Sequence, residues 1–332
     1  MHLIPDGHPE KPSYLNNLGK SLLTRFKEYN NLSDLYAAAS DYHSAAKSDT
    51  GSLNTRFEAA RSWMQLALQY LPSQSMESSA MCISLIQQLA WPGSSIHDRY
   101  HQLTHAGQVT RDAAAVAIRA SQYNTAVEWL EQGRSIIWSQ IMQLHSPLDE
   151  LYQAHPSIGQ MLRSLSSALE DAYDNPETPV QANYHMLAYQ REQLLKQIHT
   201  LPGFESYLLP RSFSQLLAAV NQGPIVMLNV SKLQCDALVL IPGFDDIFHL
   251  PLENLTLEAA WAWHQLFQLA MTRNSISINE FPSQLKALKL PDKWEKAIDH
   301  EDILAYILEN LWAHVVYPIL NALAITVSLH FC

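Results

Sequence analysis

Between positions 14 and 199 the apolar residues recur at intervals of three and four, in segments rich in Ala, Leu, Gln and Glu separated by short polar turns. That spacing matches the 3.6-residue turn of a helix with one buried face, so this stretch is predicted to be a run of amphipathic helices. Helices are expected over residues 55–70 and 75–90, ahead of a break at Trp91-Pro92-Gly93-Ser94-Ser95. Two more are expected over 157–173 and 181–200, separated by a loop at Asn175-Pro176-Glu177-Thr178-Pro179. At Leu201-Pro202-Gly203-Phe204 the pattern changes. Ile225–Val230 and residues 235–241 are short β-branched and aliphatic runs joined by Ser231-Lys232-Leu233-Gln234, predicted to form a hairpin of buried strands. A third strand is placed at 247–250, with helices over Leu257–Thr272 and 303–322.

The helical part repeats itself. In residues 108–139, Tyr123, Ala126, Leu130 and Gly133 fall at spacings of 3, 4 and 3 on one face of a second helix, while Ala113, Ala114 and Ala117 supply small residues on the first. In residues 14–46, Leu18-Gly19 stands on the first helix, and Ala38, Tyr42 and Ala45 on the matching face of the second. Here the first helix and turn are about seven residues longer than a standard repeat. Small residues on facing helices allow close antiparallel packing, and stacked hairpins need that face again and again. Both pairs therefore look like tetratricopeptide repeats; a helical hairpin of no particular family is the simpler alternative. In such repeats the first helix lines a concave groove where Asn side chains pair with the backbone of an extended peptide. Asn16, Asn17 and Lys20, with Arg111 in a comparable place later, are the candidate groove residues, and generic surface polarity is the competing account.

Composition narrows the function. The chain has 332 residues, 47% hydrophobic and 16% charged, which is enough apolar material for two or three domains and too little charge for a long disordered tail. The net charge is −11 with no Lys/Arg-rich run, which argues against nucleic-acid binding because a cationic footprint is needed to displace counterions from phosphates. Glycines number ten, and no GxGxxG or GxxxxGK[ST] occurs, which argues against dinucleotide or P-loop chemistry. No cofactor is expected. The three cysteines, Cys82, Cys235 and Cys332, are far apart and form no CxxC pair, as suits a reducing compartment. Residues 1–13 hold three prolines and no apolar leader, and no stretch approaches the roughly 20 apolar residues that span a bilayer. A cytoplasmic protein with no membrane partner is the expectation.

Candidate chemistry is sparse. Cys235 lies within an apolar strand and reads as structural. His330 and Cys332 have the atoms of a nucleophilic pair and nothing to hold them within hydrogen-bond reach. His249-Leu250-Pro251-Leu252 mimics a catalytic motif only by composition. His97, His101 and His105 are four apart on one predicted helix; three residues in a line cannot converge on one ion, and no HExxH pattern supplies a base. Asp245-Asp246, after Pro242-Gly243, is an ordinary turn composition. No metal site and no catalytic residue are expected.

Several stretches carry a further likeness: Pro5-Asp6-Gly7-His8-Pro9, Leu15-Asn16-Asn17-Leu18-Gly19, Asp98-Arg99, Arg111-Asp112-Ala113-Ala114-Ala115, Ala126-Val127-Glu128-Trp129-Leu130-Glu131-Gln132-Gly133-Arg134, Leu201-Pro202-Gly203-Phe204, Gly223-Pro224-Ile225-Val226 and Cys235-Asp236-Ala237-Leu238. With these the chain resembles fungal-type proteins in which a tetratricopeptide array precedes a CHAT domain, a caspase-like domain of the cysteine-peptidase clan. The resemblance implies a mainly α fold: a tetratricopeptide-like helical array over residues 1–200, then an incomplete α/β segment, the N-terminal part of a CHAT domain, over 201–332. Active members carry a His near a Pro-Leu-His-Ala-type strand end and a Cys in a Ser-Ala-Cys-type motif. The resemblance places both beyond the helix ending near Ala322, where this chain reads Thr326-Val327-Ser328-Leu329-His330-Phe331-Cys332.

The expectation is thus a non-catalytic protein-interaction protein that takes a protein or peptide partner along its helical array. The alternatives are a fragment of a caspase-like cysteine peptidase whose catalytic half is missing from this chain, and a decoy that regulates an intact relative. An incomplete sheet would also leave an edge open to association. It would strand residues among Val226, Leu228, Leu238, Val239, Leu240, Trp312 and Val315, each uncovered one forfeiting roughly 1.5–3 kcal/mol of burial.

Overall fold

The computed structural model describes Pro5 and residues 8–89, 96–144, 149–174, 181–205, 207–209, 212–272, 275–277 and 297–330. The helical period becomes helices where the pattern placed it: α1 (Lys11–Tyr29), α2 (Leu32–Lys47), α3 (Leu53–Tyr70), α4 (Ser75–Leu89), α5 (Ile96–Arg119) and α6 (Tyr123–Leu144). A short α7 (Asp149–Ala154), not anticipated, precedes α8 (Pro156–Asp174) and α9 (Gln181–Ile198), and a second short helix, α10 (Phe213–Leu217), follows. The chain is mainly α, as its periodicity implies, and divides into two units, Met1–Leu216 and Leu217–Cys332.

In the first unit local chemistry sets the helix ends. Pro12 stands in the first turn of α1, where its missing N–H costs nothing. Asn30 closes α1 in the left-handed region (φ 54°) and donates its N–H to the Phe26 carbonyl. Asn31 caps α2 by accepting the Ser33 N–H at 3.0 Å, and Ser52 caps α3 by accepting that of Thr55 at 3.1 Å. Between the first two helices Asp34 receives both arms of the Arg25 guanidinium, at 2.6 and 2.5 Å.

From α1 to α6 each helix packs on the next, and α1 also reaches α3, α2 reaches α4 and α4 reaches α6. Three consecutive hairpins result. Small residues set how closely their helices approach. A Cβ on Gly19 would meet the Tyr42 ring at 2.8 Å, and one on Gly133 would clash with Thr110 Cγ2. Around these seams Phe26, Leu35, Ala38, Tyr42, Trp63 and Leu66 form one core, and the Trp63 Nε1–H donates to Gln74 Oε1 at 2.7 Å. A second cluster, Leu151, Leu162, Leu194 and Ile198, joins α7, α8 and α9, with Phe204 and Tyr207 packed against it. Those aromatic contacts, and the Phe213 N–H donated to Glu128 Oε1 at 2.7 Å, hold residues 201–216 with the helices, although their sequence places them with the segment that follows.

The second unit is built on a central strand. β1 (Ile225–Val230), β2 (Cys235–Leu240) and β3 (Phe248–Pro251) form an antiparallel sheet in that order, with Val230 opposite Cys235, Leu238 opposite His249 and Val239 opposite Phe248. All of β2 is buried. Cys235, Ala237 and Val239 share one face of it, as alternate residues must. Their cluster includes Trp263 and Leu266 of α11 (Leu257–Thr272), Ile303 and Ile307 of α12 (His300–Leu311), Val315, and Ile319 of α13 (Tyr317–His330). A two-stranded antiparallel pair missed by the sequence reading, β4 (Ser275–Ser277) with β5 (Ala297–Asp299), precedes α12.

A π-helical turn, Trp312–Val316, joins α12 to α13, and the Tyr317 N–H reaches back five residues to the Trp312 carbonyl. The cause stands beside it: Pro318 has no N–H to offer the preceding turn, and its ring would clash with a carbonyl four residues back.

One expectation needs correction. The segment His300–Ala324 is, by length and composition, long and apolar enough to cross a membrane, although no uninterrupted apolar run marks it. Its inward residues Ile303, Ile307, Val315 and Ile319 nevertheless belong to the core of the second unit. Of the seven residues among which a few were expected to be stranded, Val226, Leu228 and Trp312 are more than a third exposed, whereas Leu238, Val239, Leu240 and Val315 are buried.

Candidate peptide-binding face

The groove candidates sit on the first helices of hairpins. Asn16, Asn17 and Lys20 are on α1, and Arg111 is on α5. Asn17 and Lys20 are exposed, and Arg111 is half-buried. Asn16 is buried at 6% exposure, on the same packed side of α1 as Leu15 and Gly19. Its Oδ1 accepts no hydrogen bond from any described residue, a cost the fold carries at this point. Helical spacing explains the split between Asn16 and Asn17: neighbours in sequence lie about 100° apart around the axis, so an Asn-Asn pair cannot put both amides on one line.

The first helices of the second and third hairpins share a cleft. Arg61, Gln65 and Leu68 of α3 face Gln108, Val109 and Asp112 of α5 across about 20 Å³, room for a single water and not for a small-molecule ligand. Arg61 is tied down by Glu58, one turn earlier, at 2.6 Å. Arg111 lies between two of the cleft residues in sequence, with its guanidinium 3.5 Å from where a Cβ on Gly107 would stand. The lining thus mixes amides, a guanidinium already paired with Glu58, the Asp112 carboxyl group and apolar side chains, a surface suited to hydrogen bonds with an extended backbone. Nothing in the row supplies a nucleophile held by a base.

At Cys82 and Cys235 the environment disfavours thiolate chemistry. Burial pushes the Cys82 thiol far above its ordinary range. Burial also raises that of Cys235, which is 6% exposed and whose Sγ–H points to the Ser231 carbonyl at 3.8 Å. His249 lies on the other side of the sheet from Cys235. It faces Leu238 in the register, and its Nε2 pairs with Asp236 Oδ1 at 2.8 Å. Gln234 Nε2 donates to the same carboxylate at 2.9 Å. The histidine that mimics a catalytic motif is thus a hydrogen-bond partner of a carboxyl group exposed by only 1%.

Among the described residues no group of three His, Cys, Asp or Glu is placed to hold a metal ion. The side chains of His97, His101, His105 and His330, and Cys332 altogether, lie outside the described residues, while Asp245 and Asp246 are exposed in their turn. Sequence reasoning missed the buried polar residues Asp236 and Arg191. The Asp236–His249 pair was foreshadowed only by a charged residue inside an apolar strand. Arg191, 4% exposed, donates from Nε to Ser166 Oγ at 3.4 Å, and burial lowers its affinity for its proton; nothing in its helical pattern marked it. No protein-family model, curated protein or solved structure matches the chain.

Proposed function

We propose that this chain is a non-catalytic protein-interaction protein whose helical hairpins form a tetratricopeptide-like array that takes an extended segment of a protein partner. The observation that carries the reading is the stacking itself: three successive hairpins, each packed on the next, with glycine seams at Gly19 and Gly133 and polar side chains along α1, α3 and α5. The 20 Å³ cleft between α3 and α5 has room for a water and not for a metabolite, so a ligand at this site would lie along the surface. The buried thiols of Cys82 and Cys235 support both the non-catalytic reading and a reducing, cytoplasmic setting. On this reading the second unit is a CHAT-like segment with a structural role.

The test is a synthetic peptide panel probed with the full chain, followed by affinity measurements on the strongest peptides by fluorescence anisotropy. Binding should fall about tenfold when Asn17 and Lys20 are both changed to Ala, and again with Arg111→Ala, at unchanged thermal stability. Cleavage of any panel peptide would overturn the non-catalytic reading in favour of a cysteine-peptidase fragment. Binding indifferent to all three residues would overturn the groove.

A further inference from the structure

A row of exposed apolar residues runs along the outer side of the last helix. Leu308 is 65% exposed, Trp312 55%, Val316 38% and Leu320 51%, each four residues from the next. In an uninterrupted α-helix a four-residue step turns about 40° around the axis, so this row would wind about a third of the way round. The π turn at Trp312–Val316 takes up the drift. It keeps Ile303, Ile307, Val315 and Ile319 in one core while the other row stays outside. Beside this ridge the exposed row Ala305, Glu309, Ala313 offers two small residues flanking a carboxylate. A large-residue ridge next to a small-residue groove is the surface into which another helix packs.

Charge decides what that helix is. His300–Ala324 contains Glu301, Asp302 and Glu309 and no Lys or Arg. A bilayer fits poorly: Glu309 would enter with the ridge, and full immersion would strip Ile303, Ile307, Val315 and Ile319 of their core. A second copy of the chain brings the same three carboxylates to the same face, like charge against like. We propose that this ridge is a docking site for an amphipathic helix of a partner protein whose apolar stripe is flanked by Lys or Arg, with Glu309 as the central charge contact. It is independent of the peptide face on the helical hairpins.

The experiment uses the full chain and two labelled synthetic helices of equal length, one of Leu and Lys and one of Leu and Glu in the same amphipathic spacing, read by anisotropy. The Leu/Lys helix binds and the Leu/Glu helix does not. Leu308→Gln and Trp312→Gln each weaken binding about tenfold or more, Glu309→Lys reverses the preference, and Trp261→Gln, which changes an exposed tryptophan on α11, changes nothing. Four results would overturn the proposal: equal binding of both helices, indifference to Leu308 and Trp312, cosedimentation with phosphatidylcholine vesicles that Trp312→Gln abolishes, or a concentration-dependent dimer that Trp312→Gln dissolves.

Discussion

In the first unit the largest core side chains turn toward neighbouring helices, with Trp63, Tyr42, Phe57 and Leu66 each at most 2% exposed, while Leu32, Met161, Met186 and Leu209 stay outside. Five of the large side chains that remain outside there are tyrosines (Tyr14, Tyr29, Tyr36, Tyr152 and Tyr189), whose hydroxyls water can satisfy. The second unit, roughly half as long, leaves Trp261, Phe267, Met271, Leu308, Trp312 and Leu320 at least two-fifths exposed. The difference follows from architecture. A stacked hairpin array covers each interior helix from both sides in sequence order, so burial accumulates with every hairpin. A three-stranded sheet offers its helices one face, and the sides turned away from it need something else to cover them.

The sharpest way to break this comparison is to remove the aromatic centre of the array. Trp63→Ala deletes a fully buried indole and its hydrogen bond to Gln74, and should cost about 4 kcal/mol. Hydrogen exchange should then accelerate in α2, α3 and α4 while β2 keeps its protection. Equal loss in β2 would make the two units one cooperative body. A smaller effect is expected at the seams. Gly133→Ala places a Cβ against Thr110, a short branched side chain with nowhere to move, and should cost about 2 kcal/mol. Gly19→Ala meets the edge of the Tyr42 ring and should cost less. Denaturant midpoints of the two variants check the order.

The Arg25–Asp34 clamp adds a pH-dependent contribution. The Arg25 hydrogen bonds hold the Asp34 carboxyl below its ordinary value. The stabilisation is therefore fully present above about pH 4, the usual aspartate range, and fades as pH falls through the depressed folded value. Arg25→Met should lower the melting temperature at pH 7, and the gap from the parent protein should close in acid. A gap independent of pH would assign the effect to packing of the Arg25 stem. The smallest effect belongs to the open surface: Trp312→Gln should leave unfolding stability within about 0.5 kcal/mol, because little is lost from a side chain already half in water. A large loss would mean that this ridge is covered within the chain.

Much of the helical part was legible, because a helix that packs on its sequence neighbours writes its buried face as a local period. Ala38, Tyr42 and Ala45, picked from spacing alone, are all buried at 1% exposure or less, and so are Ala113, Ala114, Ala117 and Ala126. The candidate site was less legible. Period identifies the packed side but not how far a seam extends, so Asn16 fell inside it while Asn17 and Lys20 stayed out. The Asp236–His249 pair joins residues 13 positions apart through strand register, which no local pattern records.

The sequence by itself determined the long helices, the glycines at two seams and the central apolar strand, since each depends on residues within a few positions of one another. Tertiary structure alone decided where residues 201–216 belong, because aromatic contacts with α7 to α9 outweigh a change in local composition. It also decided which row of the last helix lies in the core, because Ile303, Ile307, Val315 and Ile319 pack with residues of β2 and α11 far from them in sequence, while the break between the rows is local. Pro318 denies an α-helical hydrogen bond, and the wider turn that forms instead resets the phase of every residue after it.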